Sequence, residues 1–291
     1  MLTLSDFYHL PQLDPLIHQM VTEPSGLLLV AGLDSRPIHG DAAGFLPSGR
    51  QGLLGILVDE ILSVHATKKC IVVTAEKHLL RVPRQFRRRV QVDLINSRQD
   101  YAEEIAAAVQ SRPGLLVIDK ICPESVLPAL EAARHGLRVL SQYDTIFCGA
   151  DVNRQLLYLG ATKDDLRSLR WVLAVQRMPT LCPKCKQPVS LNPIQKEMLN
   201  AHPALAGIGV DSVTFVQASG CAHCHGSGRL GDVAVFDVYR SDGQTQQPGP
   251  KPSLLPRATY VWELVRSGHF LTSKRINFST PSTCSSIVNV L

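Results

Sequence analysis

Two cysteine pairs, Cys182-Pro183-Lys184-Cys185 and Cys221-Ala222-His223-Cys224, constrain this 291-residue chain more than any other feature. The two-residue gap in each pair lets both thiolates reach one metal ion. Two such knuckles complete a tetrahedral sulfur site, which suits zinc best. The stretch between the pairs is longer than common zinc-finger spacing and should form a substructure of its own. Unliganded thiols or a disulfide are the plainer alternatives, but a second such pair within a short segment favours a metal. His223 and His225 flank the second pair as alternative ligands. Cys70, Cys122, Cys148 and Cys284 are scattered, mostly in apolar surroundings, and read as inert buried thiols.

The rest of the chain has to supply a core, and it can. Hydrophobic residues make up 45% and aromatics only 5%, so that core is mostly aliphatic. The excess of 30 Lys plus Arg over 25 Asp plus Glu is mild and does not by itself imply nucleic acid. No stretch approaches the roughly 20 apolar residues of a membrane helix. The N-terminus lacks the basic and apolar regions of a signal peptide, which makes the cytoplasm the expected compartment.

Residues 12–21 have helical spacing, and Gly26 to Ala31 is a continuous apolar run of the kind found in a buried parallel strand. A Gly- and Pro-rich loop follows, and then a helix over 50–64. Strands are predicted at 70–74, 90–94, 115–119 and 137–141, and helices at 101–110 and 124–134. More helix is expected to about 177, with Trp171 packed in it and Trp262 in another. Alternating strands and helices argue for a parallel sheet covered on both faces. Residues 258–268 suggest a last helix with Val261, Leu264 and Val265 on one face.

A strand, a loop, a helix and then a strand ending in an acid is the layout of a P-loop NTPase. Three segments are more specific: Ala174-Val-Gln-Arg-Met-Pro-Thr-Leu-Cys-Pro-Lys-Cys185, Cys221-Ala-His-Cys-His-Gly-Ser-Gly-Arg-Leu-Gly231 and Val235-Phe-Asp-Val-Tyr239. In this order they resemble the C-terminal half of the secretion ATPases of type II secretion and type IV pilus assembly. The lead-in Glu23-Pro-Ser-Gly-Leu-Leu-Leu-Val-Ala-Gly32 fits the same family. The resemblance runs from about residue 10 to 240. It implies an α/β fold, a RecA-like P-loop NTPase core with a small tetracysteine zinc-binding module. The chain divides on this basis into a helical lead-in (1–25), a degenerate ATPase core (26–178), a zinc module (179–240), a flexible linker (241–256) and a C-terminal helix and tail (257–291). Cys182, Cys185, Cys221 and Cys224 are the expected Zn2+ ligands.

The resemblance also implies an ATP and Mg2+ site, and here the chain departs from the pattern. Gly44-Phe-Leu-Pro-Ser-Gly49-Arg50-Gln51 keeps the outer glycines of the phosphate loop. Arg50, however, replaces the phosphate-binding lysine and Gln51 the magnesium-binding hydroxyl. Pro47 offers no N–H to a phosphate. A guanidinium is larger and planar where an ammonium is compact, and a glutamine amide is a poorer magnesium ligand than a hydroxyl. The alternative register starting at Gly32 puts Asp34 beside the phosphates. In the acidic box only Glu76 keeps its acid. Lys120 replaces the glutamate that polarises water, with Asp119 one residue early as a candidate metal holder. Asp144 replaces the histidine of a later motif. Phosphoryl transfer rests on positioning and charge stabilisation, so these losses together should abolish hydrolysis. Family members also carry an N-terminal domain that packs in a hexamer. The stretch before the first strand here is too short for one, and no stand-alone active hexamer is expected.

The expected function is therefore that of a catalytically inactive homologue. It would be a zinc-containing scaffold or regulatory partner, docked on an intact ATPase paralogue or an inner-membrane platform protein. It would be cytoplasmic, held at the membrane only through partners and not inserted. An ATP sensor without hydrolysis is one alternative. Another is binding of nucleic acid or an acidic protein through Arg81, Arg84, Arg87, Arg88 and Arg89. A basic run is more often a solvated face, and Phe86 is the one aromatic near it for stacking, which argues against nucleic acid. A single CxxCxGxG segment also falls short of the several repeats of chaperone zinc modules.

Overall fold

The computed structural model describes residues 10–34, 46–65, 68–76, 79, 84–201, 214–241 and 253–266. The strands are β1 (Gly26–Gly32), β2 (Cys70–Thr74), β3 (Val90–Leu94), β4 (Leu115–Ile118), β5 (Arg138–Asp144), β6 (Leu169–Leu181), β7 (Lys186–Pro188), β8 (Val216–Ala218) and β9 (Arg229–Arg240). The α-helices are α1 (Leu13–Thr22), α2 (Arg50–Val64), α3 (Tyr101–Gln110), α4 (Pro123–Arg134), α5 (Asp151–Tyr158), α6 (Pro193–Ala201) and α7 (Arg257–Arg266).

Seven strands form one sheet in the order β3-β2-β4-β5-β1-β6-β9. Neighbours are parallel except β6 and β9, which run antiparallel. Central strands such as β1 are buried along their whole length because helices cover both faces. Side chains alternate across each strand. Leu28, Val30, Val72, Val117 and Leu140 belong to one continuous core cluster with the buried faces of α1, α2 and α7. Leu27, Leu29, Ile71, Val73, Leu116 and Ile118 pack against α3, α4 and α5. Each fully buried aliphatic side chain of this kind contributes about 1.5–3 kcal/mol. The turn into β1 needs a glycine: Gly26 sits at φ +106°, and a Cβ there would run into the Arg170 side chain.

The strands at 70–74 and 90–94 and the helix at 101–110 fall where the sequence placed them. The expected helix to about 177 does not form. α5 ends at Tyr158, with Gly160 at φ +103° just beyond it. Residues 169–181 are the thirteen-residue strand β6, so Trp171 packs in a strand and not a helix. The apolar run Trp171–Val175 is short and has no periodicity of its own. Pairing with β1 on one side and β9 on the other makes it a strand. Trp262 does lie in a helix, α7, where Val261, Leu264 and Val265 are buried as expected. Cys70 and Cys122 are free and buried, and burial pushes the Cys70 thiol up to about 12, which keeps it inert. Cys148 differs from the expectation: it is disulfide-bonded. Cys284 lies outside the described residues, as do the middle of the 241–256 segment and the C-terminal tail.

Candidate functional site

Parallel α/β sheets present their ligand sites at the carboxyl ends of the strands. At that edge, adjacent strands bring together Thr74 from β2, Asp119 just after β4, Asp144 at the end of β5 and Gly32 at the end of β1. Gly32 is in register with Asp144. The chain leaves β1 through Leu33 and Asp34 and re-enters the described structure at residue 46. It reaches α2 through Ser48, which is buried, and Gly49, which is left-handed at φ +78°.

Arg50, the first residue of α2, turns back over the end of β1. Its Nη1 lies 2.8 Å from Asp144 Oδ1 and donates to the Gly32 carbonyl at 2.9 Å. Its Nε faces Asp34 Oδ2 at 3.3 Å. That second contact is an ion pair without hydrogen-bond alignment, and Nε is buried with no hydrogen-bond partner. Asp34 Oδ1 accepts from Ser48 Oγ at 2.7 Å and from the Gly49 amide at 3.2 Å. The Asp34 amide donates to Asp144 Oδ1 at 2.9 Å, tying the two acids together. A carboxylate thus sits at the N-terminus of a fifteen-residue helix, where amides and the helix dipole favour an anion. The Arg50 side chain is only 12% exposed.

The other expected nucleotide residues point elsewhere. Gln51 is exposed and its Nε2 donates to the Leu79 carbonyl at 3.3 Å. Gly44 lies outside the described residues. Glu76 is exposed, and Lys120 is half-buried. Asp119 is buried, 1% exposed, and its oxygens are taken up by protein donors. Thr74 Oγ1 donates to it at 3.1 Å, the Ala75 amide at 2.8 Å, and the Tyr101 hydroxyl at close range. Burial, together with this bond to a carboxylate, holds the Tyr101 phenol far above its ordinary range. Sequence reasoning missed Tyr101. Its one signal was an aromatic at the first position of a helix just before the acid-ending strand.

The cysteines converge. β6 and β9 run on past the core as a two-stranded ribbon, with Leu181 opposite Arg229. The first knuckle leaves its β6 end, and the second lies just before β9. The ribbon is fastened by an ion pair between Arg177 and Asp232 and by the Cys182 amide bonded to the Gly228 carbonyl at 2.9 Å. The four Sγ atoms lie within 4.8 Å of one another. Cys182–Cys221 is 3.9 Å, and Cys185–Cys224 and Cys221–Cys224 are 3.8 Å. Four sulfurs held at about 2.3 Å from a tetrahedral zinc are about 3.8 Å apart, so the donor set fits that ion in number, chemistry and size. All four cysteines are free of disulfides. The amides of Cys221 and Gly228 each donate to Cys224 Sγ at 3.2 Å. Burial opposes ionisation of Cys224, but these amides and the neighbouring sulfurs outweigh it and bring the thiol down to about 6. His223 and His225 are exposed and stand outside the sulfur cluster. β7 and β8 pair as a small separate sheet between the knuckles.

The basic stretch is not one uniform surface. Residues 81–83 lie outside the described part. Arg87 and Arg88 are exposed. Arg89 stacks on Phe86, 5.2 Å from the ring centre, and donates to the carbonyls of Leu62 and His65 at the end of α2. A cation there complements the negative end of the helix, which is a structural role.

The fold is a RecA-like α/β fold, a mostly parallel sheet with helices on both faces. The family model described as "Type II/IV secretion system protein" matches residues 54–249, and the chain belongs to that family. The putative type II secretion system protein E of Escherichia coli is 30% identical over 149 residues, half of this chain and 29% of the relative. The type II secretion system protein E of Pseudomonas aeruginosa is 26% identical over 152 residues, again 29% of the relative. These matches thus cover under a third of the relatives' length. Among solved structures, the Legionella pneumophila ATPase DotB superposes with a TM-score of 0.53 at 15% identity, over 93% of this chain and 59% of that one. The pilus retraction motor PilT with bound ADP gives 0.50 at 13%, over 92% and 60%. At such identities the likeness is one of fold. No helix among the described residues is long and apolar enough to cross a membrane.

Proposed function

We propose that this chain is a secretion-ATPase homologue that has lost ATP hydrolysis and serves as a zinc-containing scaffold or regulatory partner in a type II secretion or type IV pilus system. The observation that carries this reading is Arg50 held between Asp34 and Asp144. The phosphate-binding lysine of the family is replaced by a guanidinium already neutralised from within. Two carboxylates remain where polyphosphate would lie. A unit charge about 4 Å from each would be opposed by about 4 kcal/mol per pair at an effective dielectric constant of about 20. Gln51 turned toward Leu79 and Lys120 at the water-polarising position support the same conclusion. Asp119, enclosed by three donors, has no open face for a magnesium ion.

In this reading Zn2+ is held by Cys182, Cys185, Cys221 and Cys224 and has a structural role, because all four positions are protein sulfurs with none open to substrate. Metal binding would fold the segment between the knuckles. The partner is an intact ATPase paralogue or an inner-membrane platform protein, which would place the chain at the cytoplasmic side of the membrane without insertion.

The test is a titration of the zinc-loaded protein with a fluorescent ATP analogue, with and without magnesium, alongside metal analysis. No saturable binding into the millimolar range and one zinc per chain are expected. Magnesium-dependent micromolar binding would overturn the inactive reading in favour of an ATP sensor, and a metal-free folded protein would overturn the zinc centre.

A further inference from the structure

We infer that Arg138 and Arg170 are the donors of a small-anion site at the amino edge of the sheet, and that its ligand is a halide-sized monoanion such as chloride. The site lies at the opposite ends of β1 and β5 from Asp34 and Asp144, and it does not depend on the inactive reading above.

Strand register brings the two arginines together. Gly26 opens β1 and Arg138 opens β5, and the two are partners across the sheet. β6 begins beside them at Leu169, which places Arg170 at the same edge. A cleft forms there between the strand starts and the end of α1, with Met20, Glu23, Gly26, Arg138, Arg170 and Trp171 among its walls. Arg170 can lie across Gly26 only because that residue has no Cβ, which would run into Arg170 Cγ.

The donors there are not satisfied by the protein. Arg138 is only 5% exposed. Its Nη1 donates to the Val21 carbonyl at 3.2 Å, but its Nε is buried with no hydrogen-bond partner. Arg170 Nε is buried and unpartnered as well. Neither arginine makes an ion pair with a described residue. Glu23, the acid in the cleft wall, is engaged on its other side. Its Oε2 accepts from Trp171 Nε1 at 3.2 Å and faces Arg240 Nη2 at 3.6 Å. Burial pushes the Arg138 guanidinium below its ordinary range, and Glu23 offsets that only in part. A buried charge in this position is costly until an opposite charge meets it. The other walls include the apolar side chains of Leu28, Ile61 and Leu140. The enclosed space takes about one water-sized body, which admits a halide and excludes a phosphate. A guanidinium is itself weakly hydrated, so it gives up little water on meeting such an ion.

The test melts the full zinc-loaded chain in sodium chloride and in sodium gluconate at equal ionic strength, because gluconate is too large for the cleft. A saturable rise in Tm with chloride alone is expected, of about 3–6 °C at ten times the dissociation constant. Arg138→Met and Arg170→Met should each abolish the difference between the two salts, whatever they do to Tm itself. Glu23→Gln keeps an acceptor for Trp171 and removes the nearest negative charge, so it should reach half its effect at about tenfold less chloride. Equal melting of the parent in the two salts overturns the inference. So does a chloride effect that survives Arg138→Met, or one that Glu23→Gln leaves unchanged or weakens. Should Arg138→Met fail to fold, Arg170→Met decides at the less buried of the two arginines, and a surviving chloride effect there overturns the site.

Discussion

Replacing Asp119 with alanine separates a structural acid from a metal-holding one. The parent side chain is 1% exposed and accepts from Thr74, Ala75 and Tyr101. After truncation, Thr74 keeps an acceptor, because its hydroxyl also reaches the Glu76 carbonyl at 3.2 Å. The Tyr101 hydroxyl, buried with its ring, is left without a partner at a cost of about 1–3 kcal/mol. The Ala75 amide, on an exposed residue, adds about 1 kcal/mol. The sum is about 2–4 kcal/mol, a large part of the about 5–15 kcal/mol by which domains are stable. Chains of 150–250 residues lose about 2–4 °C of Tm per kcal/mol, so a drop of about 5–15 °C is expected by thermal melting followed by circular dichroism. Tyr101→Phe alone leaves the carboxylate short of a donor and costs about 1.5–3 kcal/mol. In the double variant neither group remains, so its cost should fall below the sum of the singles by about 1–2 kcal/mol. Strict additivity, or an Asp119→Ala Tm within about 1 °C of the parent, would refute the argument that this acid is a buried strut.

Two further outcomes follow from the same geometry. Burial, and then the neighbouring Glu60, raise the Asp59 carboxyl to about 6 from 3.8. Because the folded state binds the proton more tightly, stability contributed by this group is present at low pH and lost as pH rises through 3.8 to about 6. Asp59→Asn should therefore stabilise the protein at pH 7 by about 1 kcal/mol, allowing for solvent screening at a half-buried site, with the gain vanishing below the carboxylate range; urea melts at the two pH values check it, and an equal gain at both would contradict it. Gly228→Ala should loosen the cysteine module, because φ is +70° and the added Cβ would lie 2.9 Å from the Ala218 carbonyl oxygen. Faster zinc transfer to a chromogenic chelator is the expected result, and an unchanged rate would show that this turn does not hold the knuckle.

Much of this protein was legible before folding. The bounds of β2, β3 and α3 followed from local apolar patterns, which depend only on near neighbours in the chain. The cysteine spacing announced a metal-sized sulfur cluster, because a two-residue gap fixes how far apart two thiolates can be. Arg50, Gln51 and Lys120 marked a departure from the family's chemistry by residue type alone. The tertiary structure decided the rest. Residues 169–181 became a strand because β1 and β9 offered pairing on both sides, a choice that the short apolar run does not encode. The same pairing extends the core sheet into the ribbon that carries both knuckles. Arg50 and Asp144 read in sequence as separate replacements and Asp34 as an acid in an alternative register, and only the register of β1 beside β5 turns them into one ion-pair network. Asp119 likewise read in sequence as a candidate metal holder, and only the fold shows that it accepts from Tyr101, Thr74 and the Ala75 amide. These contacts join residues far apart in the chain, and spacing carries no information about such pairs until the sheet sets which strand ends lie side by side.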